Sequence, residues 1–327
     1  MYNHDLSHLM KRLSPAIALL LIAPTVGELI SGSAPPPEFF HPFTVIIFIM
    51  LYGCGALLCR ELVVRWGKGW TSLLLLGMAY GIFEEGIVVR SFFDPTWMDL
   101  GAMATYGRFL GVNWVWVEHL THYHTLFSVI ISVTIVELLY PDRRAERWIS
   151  KRGLIACWIC LGLMVPIGYL LTPYDSPDIW IVLTWASILG LGLIARSIPA
   201  RLLPPKSVPT PGTRRFWWLA FVGFLTYFIG VYYMSESAIL PFPVMMILLL
   251  ILDGIALWLV LRWNGNGTSW DDRHRLAMVS GGLWVFIILS PLPGNSAQTG
   301  MLFVAIATAI ALWFLGRLVK NRHLAKK

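Results

Sequence analysis

The sequence predicts an all-α polytopic membrane protein, a bundle of about ten transmembrane helices with both termini cytoplasmic. Three observations lead there. Of its 327 residues, 57% are hydrophobic and 13% charged, with a mean hydropathy of +0.68, whereas soluble domains are about 45–50% apolar and about 25% charged. Apolar stretches long enough to cross a bilayer, at about 1.5 Å rise per residue, recur along the whole chain. Lysine and arginine crowd into alternate loops, as they do on the cytoplasmic side of membrane proteins.

The spans are expected near 13–32, 43–60, 70–90, 113–139, 153–172, 178–196, 216–234, 242–262, 276–290 and 299–317. The ninth is short and interrupted by Gly281 and Gly282. With the N-terminus inside, the inner segments carry Lys11 and Arg12, then Arg60, Arg65 and Lys68. Arg143, Arg144, Arg147, Lys151 and Arg152 follow, then Arg196, Arg201, Lys206, Arg214 and Arg215. The remainder are Arg262, Arg273 and Arg275, and the tail holds Arg317, Lys320, Arg322, Lys326 and Lys327. Only Arg90 and Arg108 fall outside, both in one loop. Topology thus accounts for the net charge of +7 and the pI near 9.3, and no nucleic-acid partner is expected.

The chain reads as one integral membrane domain, 1–327, in which 197–215 is a basic, proline-rich cytoplasmic linker. A cleaved signal peptide is the alternative for the first span, given the small residues SGSA at 31–34; Glu28 within the apolar run argues for a retained helix. Cys157 and Cys160 form a C-x-x-C on the cytoplasmic half of the fifth span, without the strand context of a redox motif, so packing is the expected role. Asn266-Gly267-Thr268 matches a glycosylation sequon on the inner side, where it would not be used. Ten spans divide into five plus five of inverted topology, a transporter plan, without a visible sequence echo.

Ionisable side chains inside spans cost about 2.5–3.5 kcal/mol each at the bilayer centre and mark functional sites. The stretch YGIFEEGIVVRSF places Glu84 and Glu85 about 10 Å below the outer end of span three. Glu28 near the outer end of span one, and Glu118, His119, His122 and His124 at the outer start of span four, fall in the same layer. Gly77, Gly81 and Glu85 are four apart, so Glu85 is expected on a small-residue stripe facing protein, with Glu84 turned about 100° onto the face of Tyr80. Two adjacent carboxylates repel in a low-dielectric site, so one is expected to hold a proton and the pair could act as acid and base. Glu118 and His122 share a face, His119 neighbours His122, and His124 points to a different side.

Three functional readings stay open, beside a purely structural one in which the groups bond one another between helices. Glu84 or Glu85 could activate a water, with His122 or His119 as proton shuttle or oxyanion partner. Glu118 and His122 could instead join a glutamate in holding a divalent metal such as Zn, Mn or Fe. The carboxylates could also bind protons or cations in transport, with Asp253 of span eight as a relay. The aromatic loop 91–112 suits a lid or an interfacial belt, in which Arg90 and Arg108 could hold an anionic group. Glu137 is expected at the cytoplasmic interface.

FEEGIVVRSF followed by a histidine-bearing helix resembles the CAAX-processing and bacteriocin-processing (Abi) family of intramembrane glutamate proteases, over residues 80 to 125. There an E-E-x-x-x-R motif supplies the water-activating glutamate, and histidines on later helices complete the site. The resemblance implies that role for Glu84, Glu85 and His122. Here Arg90 stands five residues after Glu85 instead of four, Glu118 stands where the family prefers Phe, and no later membrane helix carries a histidine. The leading expectation is a multi-pass cell-membrane hydrolase with an outward Glu–His site, acting on a membrane-embedded peptide or lipid-linked substrate among membrane lipids. A coupled transporter or a non-catalytic scaffold are the alternatives.

Overall fold

The computed structural model describes residues 13–292 and 299–325. The inner charges expected at Lys11, Arg12, Lys326 and Lys327 lie outside the described residues. Among the described residues the regular structure is helical, apart from a two-residue antiparallel ribbon pairing Arg108 with Asn113 and Phe109 with Val112. A helix stands at each of the ten expected places: α1 Pro15–Leu29, α2 Pro42–Arg65, α3 Trp70–Val88, α4 Trp114–Leu139, α5 Lys151–Leu171, α6 Asp178–Ser197, α7 Thr213–Ser237, α8 Phe242–Trp263, α9 Asp272–Leu289 and α10 Met301–Leu324.

Eight of these are long and apolar enough to cross a membrane. The exceptions are α1 and α9. Helix α1 begins at a Ser14 cap with Pro15 in its first turn, and Pro24, which has no N–H to donate, ends its regular turns early. Helix α9 opens on charged residues because Asp271 caps it, accepting from the backbone of Arg273 and His274 while His274 reaches back to Asp271 N–H.

One end of the bundle is tied by arginines. Arg60 donates to Glu61 and to the carbonyls of Arg144 and Glu146, Arg144 pairs with Asp272, and Arg322 donates to the last carbonyls of α4. Glu137 pairs with Arg275 at 3.4 Å at the same end. The Asn266 amide, in a turn at this end, donates to the Pro204 carbonyl. At the other end the 91–112 loop packs onto α7 and α8, where Tyr106 donates to the Leu240 carbonyl.

Helices α3 and α4 form the centre, with 67% of each apolar window buried against 11% for α6 and α8. Two apolar cores meet along α4, one with α1, α2, α3 and α5 and one with α7, α8, α9 and the loop. The two five-helix halves of the transporter alternative pack against each other. Helix α6 lies along α3, where Ser72 donates to the Ala195 carbonyl and Thr184 fills the space opposite Gly86. All four cysteines are free thiols, and Cys157 packs in the first core with Cys54.

Candidate functional site

Four of these helices contain a π-helical turn: Thr25–Leu29 in α1, Ile49–Gly53 in α2, Glu84–Val88 in α3 and His124–Ile131 in α4. They are the π segments among the described residues. In each, backbone N–H groups reach five residues back instead of four, as Ile30 N does to Thr25 O at 2.9 Å and Val89 N to Glu84 O at 3.0 Å. Each also carries a polar side chain of one cluster: Glu28, Tyr52, the Glu84–Glu85 pair, and His124 with Ser128.

His124 is the centre. Its Nε2 lies 2.9 Å from Glu85 Oε1, and its Nδ1 lies 3.2 Å from Glu84 Oε2 and 3.1 Å from Ser128 Oγ. Ser91 donates to Glu85 Oε2, and the indole of Trp116 donates to Ser91 Oγ at 3.0 Å. Tyr52 donates to Glu28 and stands beside Glu84, as Tyr80 does on its other side. Tyr123 donates to the Gly27 carbonyl in the π turn of α1. The three central residues are closed in, at 2% exposure for Glu84, 6% for Glu85 and 2% for His124.

Close helix approach makes this possible. A Cβ on Gly81 would lie 3.0 Å from His124 Cβ, and one on Gly77 3.2 Å from Thr125 Cα, so the expected glycine stripe does face a helix. Helix α4 answers with its own stripe of small residues, Thr121, Thr125, Ser128 and Ser132. On the far side of the cluster, Gly55 admits the Tyr80 ring, which a Cβ there would meet at 2.1 Å. Both glutamates reach the one imidazole because His124 sits over Gly81, between the two directions in which they point.

This corrects the expected partners. His122 and His119 do not meet the glutamate pair. Residue 124 is two beyond 122, about 200° around a helix, so His122 faces the opposite side of α4. There its Nδ1 lies 2.9 Å from Asp253 Oδ2 of α8 and its ring stacks on Tyr227 of α7 at 4.0 Å. His119 Nε2 lies 3.4 Å from the Tyr232 hydroxyl. Glu118 faces Tyr227 and Asp253, so Glu118 and His122 belong to this second cluster and not with Glu84 or Glu85. Among the described residues, the group that brings three ligand atoms within 4.8 Å of one another is Glu84, Glu85 and His124.

The loop residues also settle into roles. Arg108 donates to the carbonyls of Ala104, Phe93 and Asp94, which folds the loop upon itself. Arg90, in a left-handed conformation just past α3, donates to the Tyr174 carbonyl and covers the Tyr169 ring. Both guanidinium groups thus donate to backbone carbonyls within the protein, and an anionic group is one of the two partners that the sequence leaves open for them. Asn113 caps α4 and holds the Met103 carbonyl, so the loop rests against the start of that helix. Burial pushes the Asp99 carboxyl in this loop upward, and the charge of Glu85 adds to the effect.

Sequence reasoning found Glu28, Glu84 and Glu85 and missed Tyr52, Ser91, Trp116 and Ser128, which complete the cluster. The signal for His124 was present in the α4 small-residue stripe, which marks the helix face turned toward α3. No curated protein and no solved structure matches the chain. A family model does match residues 17–324, and the chain belongs to that family, described as an uncharacterized membrane protein family.

Proposed function

We propose that the protein is an intramembrane hydrolase acting on a membrane-embedded peptide or lipid-linked substrate. The observation that carries this reading is the His124 imidazole held between the carboxylates of Glu84 and Glu85. Glu84 Oε2 is buried without a hydrogen bond of good geometry, so Glu84 is the general base. It takes a proton from water as the water oxygen attacks the substrate carbonyl carbon. Protonated His124 passes its proton to the leaving group as the scissile bond breaks. Glu85, fixed by Ser91 and Trp116, orients the imidazole. The likeness to the CAAX-processing family supports the same chemistry on Glu84 and Glu85, with His124 in the place first given to His122. The 91–112 loop then serves as a lid whose first residues touch the site. The basic end is cytoplasmic by the charge rule, so the site opens to the outer half of the cell membrane.

A proton-coupled transporter is the second reading, favoured by the His122–Asp253 pair. Further along α4, however, Val129, Val133, Val136 and Leu138 are wholly buried, while Ser132 and Thr134 bond back to their own helix. That apolar stretch counts against a continuing polar route.

The test compares membranes from cells making the wild-type protein with those making Glu84→Gln or His124→Gln. New peptide termini and lipid-linked species are read by mass spectrometry. Products seen only with the wild type support hydrolysis, and identical profiles remove it.

A further inference from the structure

We infer that Glu84, Glu85 and His124 bind a divalent first-row transition ion. The inference rests on the hydrolase reading only for what the ion would do; the binding itself stands on geometry. Bonds of about 2.0–2.2 Å from such an ion to carboxylate oxygen or imidazole nitrogen set opposite ligands no more than about 4.4 Å apart. The three ligand atoms already lie within 4.8 Å of one another, so coordination needs only a slight contraction.

The surroundings match those of a metal centre. Ligating groups are held by hydrogen bonds from a second layer, which orient them and raise their affinity. Here Ser91, itself fixed by Trp116, holds the far oxygen of Glu85, and Ser128 faces His124 Nδ1 and orients the ring. Glu84 offers a buried oxygen, Oε2, that makes no hydrogen bond of good geometry and has the His124 ring 3.2 Å away.

Charge argues the same way. Glu28, Glu84 and Glu85 share the cluster with a single imidazole, and among the described residues no lysine or arginine pairs with any of them. Buried carboxylates need a counter-charge or a proton, and a single imidazole supplies one positive charge for three of them. A divalent ion supplies two positive charges at one point. One nitrogen and two or more carboxylate oxygens suit Zn2+, Mn2+ or Fe2+ in preference to the soft ions that favour thiolate. When bound, the ion would take the activation of water and of the carbonyl over from Glu84 and His124, whose acid–base roles belong to the metal-free site, by lowering the pKa of a coordinated water and polarising the carbonyl.

The experiment measures metal on full-length protein purified in detergent. Protein stripped with chelator is re-equilibrated with Zn2+ or Mn2+; metal content is read by mass spectrometry, and Mn2+ coordination by electron paramagnetic resonance. The wild type is expected to take up one equivalent. Glu84→Gln, Glu85→Gln and His124→Gln should abolish uptake, and Ser128→Ala should weaken it about ten- to a hundredfold. His122→Ala and Glu118→Gln, on the other face of α4, should bind as the wild type does. The inference fails if the wild type takes up no ion, or if loss follows His122→Ala instead. Should the charge-removing variants not fold, unchanged affinity in Ser128→Ala overturns it. Hydrolysis without bound metal would remove the ion and keep the hydrolase; bound metal without hydrolysis would do the reverse.

Discussion

On one face of α4, His124 has a carboxylate at each ring nitrogen and is 2% exposed. On the opposite face, His122 has one carboxylate, Asp253, whose side chain is 35% exposed. The residue types are the same, yet the surroundings differ. Around His124 the hydroxyls of Tyr52, Ser91 and Ser128 engage most of the polar atoms. Around His122 both oxygens of Glu118, Nδ1 of His119 and Nε2 of His122 are buried without a hydrogen-bond partner. The first cluster is braced from four helices and the second rests on α8, which packs mainly on α7 alone. Bracing of this kind is what fixes a reacting geometry.

The largest expected effect removes the imidazole from the braced cluster. His124→Ala leaves buried carboxylates without their partner and should lower stability by about 3–5 kcal/mol, the range for breaking a buried pair. A thermal melt in detergent reads it. His122→Ala should fall well short of that, because Asp253, about a third exposed, retains solvation. Equal losses would erase the distinction between the two faces.

Packing comes next. Gly55→Ala forces its new methyl into the rigid Tyr80 ring, and overpacking of this sort costs about 1–3 kcal/mol. Gly223→Ala on α7, where a Cβ meets nothing within 4 Å, should leave the melting temperature unchanged or slightly raised, since alanine is the better helix former. Ser91→Ala removes the hydroxyl between Glu85 and Trp116 and should cost about 1–2 kcal/mol. Activity in any hydrolysis assay should fall with it, whereas a structural hydroxyl would change stability alone.

The smallest effect lies far from both clusters and sets the baseline. Asp271→Ala removes the α9 cap and should cost about 1 kcal/mol. Burial pushes the Asp271 carboxyl up, but bonds from Arg273 and His274 hold it below its ordinary value overall. Its contribution is therefore complete above the ordinary carboxylate range and fades as the pH falls below it. Melts from pH 6 down to pH 3 should show the variant and the wild type converging.

Helix number and place were legible in the sequence because hydropathy and basic alternation report membrane crossing directly. Glu84 and Glu85 were legible because carboxylates in an apolar run are conspicuous. The histidine was not, because the depth of a residue along a helix says nothing of its facing. Facing was inferred from α-helical phase around His122, while the glycines of α3 meet a different face of α4, that of Thr121, His124 and Thr125. Tyr52 and Ser91 stayed hidden for another reason. Their role comes from tertiary contact with residues 24 and 6 positions away, which no local pattern encodes. Arg60 is a further case: the charge pattern counts it among the inner-segment cations, and it is fully buried against Glu61 and the Trp148 ring.

The four π turns give the site an unusual dependence on chain length. Each wide turn holds one residue more than the regular helix around it would need. Deleting a single residue between 124 and 131 would let α4 close into regular turns and still span the membrane. The part of the helix on one side of the cut would then rotate against the other. His124 would lose its alignment with either Glu84 and Glu85 or the Ser128–Ser132 face, while hydropathy stayed almost unchanged. A chain can therefore keep this fold and lose this site through one missing codon.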